Sequence, residues 1–242
     1  MPRRRFFVEK IEGRRAVVRG EQAHHLGRVL RVRPGEQFEI SDTHRLYLAT
    51  VAATRSGAIE FAIDEELPAG QRLPEVTLLA AIFKFDRLEW LIEKATELGA
   101  ARMVPVVASR TDKGLAAAAL KRVERWRRIA FEAAQQSRRL APMQIAEVTP
   151  FERAVKEATG GHRWMLDESP EAANQKQLLA PAPRSGSDLL VGPEGGWTEQ
   201  ERQHARDSGF VPVGMGPLIL RAETAAIAAL AVVLYANSDR GS

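Results

Sequence analysis

Two stretches of this sequence place residues that can do chemistry where loops are expected. The first is Leu189-Leu190-Val191-Gly192-Pro193-Glu194-Gly195-Gly196-Trp197. A short apolar run suited to a buried strand feeds into three glycines and a proline. Thr198 and Glu201 then stand three apart, as a capping box requires, so strand, tight turn and helix are expected in that order. Glycine lets the backbone take positive φ or approach a ligand closely, and a helix start offers unpaired N–H groups. A plain βα connection has the same composition, because Gly-Pro-x-Gly-Gly is specific for no ligand. The second stretch is Gly216-Pro217-Leu218-Ile219-Leu220-Arg221-Ala222-Glu223-Thr224-Ala225, again loop residues running into a helical pattern.

Several chemistries are excluded by inspection. The chain has no cysteine, which removes disulfides, thiolate metal sites and a thiol nucleophile. The five histidines, at 24, 25, 44, 162 and 204, have no metal-ligand spacing, so no metal site is expected. There is no Gly-x-x-x-x-Gly-Lys and no Gly-x-Ser-x-Gly. Gly214-Met215-Gly216 begins like a dinucleotide fingerprint but lacks the third glycine.

Charge adds a partner class. Residues 1–35 hold ten Lys and Arg against three Glu, a net of +7 in a chain whose total is +4. That asymmetry suits a polyanion, nucleic acid first, although a solvated basic face has the same composition. With no leader and no apolar run of bilayer length, no membrane association is expected and the location is cytoplasmic.

The elements that must position these residues fall into two groups. Up to about residue 70, alternating segments at 5–8, 15–18, 37–40, 46–51 and 59–63, separated by turn residues, predict a small β-barrel or sandwich. Within it, Glu21 to Arg33 predicts a short helix carrying Arg28 and Arg31 on one side. Leu67-Pro68-Ala69-Gly70-Gln71-Arg72-Leu73-Pro74 marks a boundary, giving domains at 1–72 and 73–242. Beyond it, apolar runs at 76–82, 102–108, 143–148, 163–166, 188–191 and 211–215 alternate with helical patterns at 86–98, 118–137, 151–158, 198–208 and 222–236. Such βα alternation predicts an α/β fold whose mostly parallel sheet binds ligands beyond its strands' carboxyl ends. The helix from Lys121 to Arg139 has seven Lys and Arg against two Glu, which suits either the helix dipole or RNA. The last helix is apolar nearly all round, as in a buried element or a subunit interface.

The two loop stretches, about twenty residues apart, resemble the knot-forming motifs of SPOUT-class methyltransferases, and most of all the RsmE-type family that methylates N3 of a uridine in 16S ribosomal RNA. His25-Leu26-Gly27-Arg28-Val29-Leu30-Arg31 resembles the basic segment of that family's N-terminal PUA-like barrel. Glu93-Lys94-Ala95-Thr96-Glu97-Leu98-Gly99 resembles a segment early in its catalytic domain. The resemblance implies a PUA-like β-barrel followed by an α/β domain with a C-terminal trefoil knot, and a homodimer acting on 16S ribosomal RNA within a small-subunit particle. It also implies S-adenosylmethionine as cofactor, held by Leu166, Val191, Gly192, Pro193, Glu194, Gly195, Gly196, Met215, Gly216, Leu218, Ile219, Leu220, Thr224 and Ala225. The expected RNA contacts are Arg3, Arg4, Arg5, His25, Arg28, Arg31, Lys84, Lys94, Arg110, Gln136 and Arg139. Departures from the family's pattern fall at Gln135, Ser109 and Leu218, and they spare the glycine loop.

For such a reaction a uracil imide proton must leave as N3 attacks a sulfonium methyl. Arg139 and Arg221 are candidates to stabilise the uridine anion, and Glu194 or Glu223 to accept the proton, although capping or pairing is the commoner role for each carboxylate. The missing thiol disfavours pyrimidine C5 methylation. Two further readings stay open: methylation of a ribose 2′-oxygen, and a non-catalytic RNA-binding assembly factor.

Overall fold

The computed structural model describes residues 4–24, 27–28, 31–55, 57–68, 70, 73–169, 172–180 and 186–236. The chain divides into two compact units, one of residues 1–72 with 134–142, the other of 73–133 with 143–242.

The first unit is a six-stranded sheet built from β1 (Arg5–Phe7), β2 (Ile11–Glu12), β3 (Arg15–Arg19), β4 (Gln37–Ser41), β5 (Leu46–Arg55) and β6 (Ala58–Leu67). The spatial order is β1-β4-β5-β6-β3-β2. All its pairs are antiparallel except β1 with β4. Period-two alternation turns Ala16, Val18, Ile59, Phe61 and Val51 into one core with Phe6 and Ile40. Register shifts in the β5–β6 ladder after Leu48 and Val51 bend the sheet. Segment 134–142 joins this unit through specific bonds: the Ser41 hydroxyl donates to the Leu140 carbonyl at 2.6 Å, and the Arg5 guanidinium donates to the Arg138 carbonyl. The expected helix over Glu21–Arg33 is cut short. Helix α1 covers Gly20–His24, and Arg31–Arg33 are not helical. Arg31 takes φ 52°, and Pro34 forces the residue before it out of the helical region.

In the second unit the strands are β7 (Val76–Ala81), β8 (Arg102–Val107), β9 (Gln144–Ile145), β10 (Thr149–Pro150), β11 (His162–Leu166), β12 (Ala173–Asn174), β13 (Ser187–Val191) and β14 (Val211–Gly214). The order is β10-β8-β7-β13-β11-β14-β12, with β9 also on β8, and every pair is parallel. A parallel sheet must be covered on both faces, and alternate residues of single strands sort accordingly. Leu78, Ala80, Leu189 and Val191 join a core with α2 (Phe85–Leu98), α4 (Val123–Gln136) and α7 (Ala222–Tyr235). Leu79, Ala81 and Leu190 join another with α5 (Phe151–Lys156) and α6 (Glu199–Asp207). The remaining helix, α3, spans Lys113–Ala119 behind an Asp112 cap. Helix α2 stops at Gly99, φ 117°, where a Cβ would lie 2.4 Å from Leu73 Cδ1. Among the described residues no helix is long and apolar enough to cross a membrane.

Candidate functional site

Strands β11, β13 and β14 are adjacent in the sheet and level at their carboxyl ends: Met165 sits opposite both Leu190 and Pro212. Their outgoing loops therefore emerge side by side and enclose a cavity of about 860 Å³. One wall is Leu166 to Ser169 with Ala172, a second Val191 to Glu194 with Gly196 and Trp197, and a third Gly214 to Ala222 with Ala225. Arg87, from the first turn of α2, completes the lining.

The glycine loop is built tightly. Pro193 to Gly196 form a turn closed by the Gly196 amide donating to the Pro193 carbonyl at 2.9 Å, with Gly196 at φ 69°. Trp197, 1% exposed, donates its indole N–H to the Leu166 carbonyl at 3.0 Å and so ties the second wall to the first. A Cβ on Gly192 would lie 3.1 Å from that indole, so only glycine fits without movement. The expected capping box is present: Thr198 Oγ1 accepts from the Glu201 amide at 3.2 Å, and Glu201 accepts from the Thr198 amide at 2.9 Å. The other Glu201 oxygen accepts the Ser109 amide at 2.8 Å, fixing the loop after β8 beside this helix start. In that loop Arg110 donates to the Gly195 carbonyl at 2.6 Å.

Three carboxylates, Asp167, Glu168 and Glu194, line the cavity. Asp167 is gripped by Arg202 at 2.9 and 3.2 Å and by the Ser169 hydroxyl at 2.9 Å. Burial pushes its pKa up, but the Arg202 and Ser169 bonds outweigh burial and leave it below the usual carboxylate range. Glu194 pairs with Arg87, whose Nε also lies 3.8 Å from Glu223. Glu223 is buried in the first turn of α7, with one oxygen lacking any hydrogen-bond partner among the described residues. Glu168 is exposed and has no hydrogen bond or ion pair with any described residue.

The cavity gathers most of the expected cofactor residues: Leu166, Val191, Gly192, Pro193, Glu194, Gly196, Met215, Gly216, Leu218, Ile219, Leu220 and Ala225. Gly195 turns its carbonyl to Arg110, and Thr224 is exposed; neither lines the cavity. Leu218 and Ile219 are 75% and 84% exposed, so they form an apolar rim. Of the expected catalytic residues, Arg221 and Glu194 line the cavity, whereas Arg139 belongs to the first unit. Burial lowers the Arg139 pKa from the ordinary arginine value.

The expected RNA contacts divide. Arg4, Arg28, Arg31, Lys84, Arg110 and Gln136 are exposed. Arg5 is committed to Glu39 at 2.8 Å, and Lys94 to Glu93 and Glu97, each at 2.8 Å. Arg3 and His25 lie outside the described residues. On the basic helix α4, Glu89 holds Arg125 at 2.7 Å and, just before the helix, Arg122 at 3.0 Å. Arg127 pairs with Glu147 at 2.6 Å. Much of that helix's positive charge is therefore answered within its own unit.

Sequence reasoning missed Arg87, Asp167, Glu168 and Trp197. Trp197 carried a signal, its place directly after the glycines. Arg87 carried none, since its partners lie more than a hundred residues away. Among the described residues no cluster of three ligand-type side chains could hold a metal.

A cavity of this size is in the range of sites for cofactor-sized ligands, about 300–1,000 Å³. Its glycine walls, apolar rim and opposed charges fit a molecule with an adenosine body and a charged amino-acid arm, which S-adenosylmethionine has.

Known proteins agree with this arrangement. The sequence model of the RNA methyltransferase domain matches residues 71–234, and that of the RNA methyltransferase PUA domain matches 18–64. The chain is 34% identical to ribosomal RNA small subunit methyltransferase E of Mycobacterium tuberculosis, over 94% of this chain and 90% of that protein. Its structure is similar to that of ribosomal RNA small subunit methyltransferase E from Neisseria gonorrhoeae bound to S-adenosyl methionine, with TM-score 0.87, 28% identity and 98% of each chain covered. A Legionella pneumophila protein solved with the bound cofactor SAM also gives TM-score 0.87, at 26% identity over 98% of this chain and 99% of that one.

Proposed function

Because this chain belongs to the RNA methyltransferase family, among the ribosomal RNA small subunit methyltransferase E proteins, we propose that it uses S-adenosylmethionine to methylate N3 of a uridine in 16S ribosomal RNA. The observation that carries this is the single cavity in which both glycine-containing loops meet the end of β11.

The bound cofactor supplies an electrophilic methyl carbon on a sulfonium. The protein's share is placement and charge. Main-chain groups of the 192–196 and 215–220 loops hold the adenosine body, which needs the close backbone approach that glycine allows. Holding N3 in line with the methyl carbon removes much of the entropic barrier. Arg221, exposed at the cavity wall, stabilises negative charge on the uracil oxygens as the imide proton leaves. Glu194, held by Arg87, takes up the proton. The uridine must be unstacked to reach the cavity.

In this proposal residues 1–72 are the RNA-binding domain and 73–242 the methyltransferase domain, whose C-terminal loops form a trefoil knot. Exposed Arg4, Arg28 and Arg31 contact phosphates, and the RNA is presented in a small-subunit particle in the cytoplasm. The protein works as a homodimer. Support comes from α7, where Ile227, Ala228, Ala231 and Val232 are only half-buried and Tyr235 is exposed in one chain.

Mass spectrometry of 16S ribosomal RNA from a deletion strain tests the proposal. N3-methyluridine should disappear and return when the gene is restored; an unchanged level refutes it.

A further inference from the structure

The charges around the cavity are answered unequally. Asp167 is paired with Arg202, and Glu194 with Arg87, whose Nε also lies 3.8 Å from Glu223. An ion pair presents the cavity with a field that falls off faster than that of a single charge. Glu168 is different: it lines the same cavity and pairs with no described residue. Its Oε1 lies 3.8 Å from the point where a Cβ on Gly196 would stand, so the carboxylate reaches from the β11 loop across to the glycine loop. Arg110 Nη1 stands 3.9 Å from the same point; its bond to the neutral Gly195 carbonyl leaves its charge in place, but it makes no ion pair with Glu168. Arg221, exposed on the third wall, is the cation of opposite sign. Among the described residues, Glu168 is therefore the carboxylate of the cavity lining that has no ion pair.

We propose that Glu168 reads the positive sulfur of the methyl donor and makes the site prefer the donor over its demethylated product. This rests on the cavity being the S-adenosylmethionine site. Donor and product share adenine, ribose and amino-acid arm; they differ by one methyl group and one positive charge at sulfur. Contacts to the shared parts hold both molecules alike. A lone carboxylate near the sulfur holds only the donor more tightly, and it stops doing so once the methyl has left. Because the carboxylate is exposed, its effect is that of a partly solvated ion pair. Glu168 is then a specificity-determining residue that speeds the exchange of spent cofactor.

Calorimetry on the full chain tests this with S-adenosylmethionine and S-adenosylhomocysteine as the two probes. Glu168→Gln should weaken the donor about twofold to fivefold and leave the product unchanged, while Glu168→Asp should keep most of the preference. Added salt should shrink the wild-type preference but not that of Glu168→Gln. Equal loss for both ligands would mean that Glu168 contacts a shared part, and no loss for either would mean that it does not face the ligand. Both results overturn the inference alone. If the wild type binds neither probe, the cofactor assignment of the cavity falls and this inference with it.

Discussion

Replacing Gly192 by alanine puts a methyl carbon 3.1 Å from Trp197 Cε2, 3.2 Å from Nε1 and 3.4 Å from Cζ2. Relief requires the indole to move by a few tenths of an ångström. Trp197 has little room to do so, being almost fully buried, packed on Phe151 at 5.4 Å between ring centroids and hydrogen-bonded to the Leu166 carbonyl. Overpacking of this kind costs about 1–3 kcal/mol, and a loss of about 2 kcal/mol lowers Tm by roughly 4–8 °C in a domain of this size. Gly195→Ala is the control. Its new carbon meets only the flexible Arg110 side chain, at 3.4 Å and beyond, so stability should stay within about 0.5 kcal/mol. Urea denaturation measures both, and calorimetry with S-adenosylmethionine should show weaker binding in Gly192→Ala. Wild-type stability and affinity in Gly192→Ala, or an equal loss in Gly195→Ala, would refute the claim that Trp197 shapes this wall.

Arg87→Met removes the cation beside buried Glu223 and should cost about 1–3 kcal/mol. Adding Glu223→Gln should recover most of that loss, and simple additivity in the double-mutant cycle would disprove the coupling. Asp167 is held below its ordinary pKa, so its stabilising contribution is present at neutral pH and lost as pH falls through the folded value; Asp167→Asn should destabilise at pH 7 and much less in acid. Asp188 has the opposite sign. Burial raises its pKa against the Gly160 amide bond at 2.6 Å, so wild-type stability should rise as pH drops toward the ordinary aspartate range, and Asp188→Asn should abolish that rise in urea titrations. Arg28→Ala with Arg31→Ala should weaken RNA binding and reduce the salt slope by about 0.7–0.9 for each phosphate that is no longer neutralised; an unchanged slope in binding titrations would exclude these two arginines.

The parts of this protein legible from sequence are those set by local pattern. Strand-length apolar runs between helical patterns indicated the parallel sheet because each such strand is buried on both faces, as Ser187–Val191 is throughout. The Thr198–Glu201 box marked a helix start because its partners are three residues apart. What escaped was long-range pairing. Arginines of α4 pair with Glu89 and Glu147, and Arg5, expected to contact RNA, pairs with Glu39 on the neighbouring strand; none of these partners is close in sequence. The overlong helix at Glu21–Arg33 has a local cause: amphipathic spacing cannot register the left-handed turn at Arg31. The cavity's loops were legible through their glycines, whereas the charge pattern around them, with Arg87, Arg202 and Glu168 in different roles, exists only in the folded chain.

The order of the cavity's walls along the chain has a consequence for synthesis. The walls begin at residues 166, 191 and 214, and the last extends to Ala225 in the first turn of α7. Every earlier strand is synthesised while the third wall is still unmade. A nascent chain that stops short of residue 225 therefore has an incomplete cavity. Completion of the cavity thus waits on the first turn of α7.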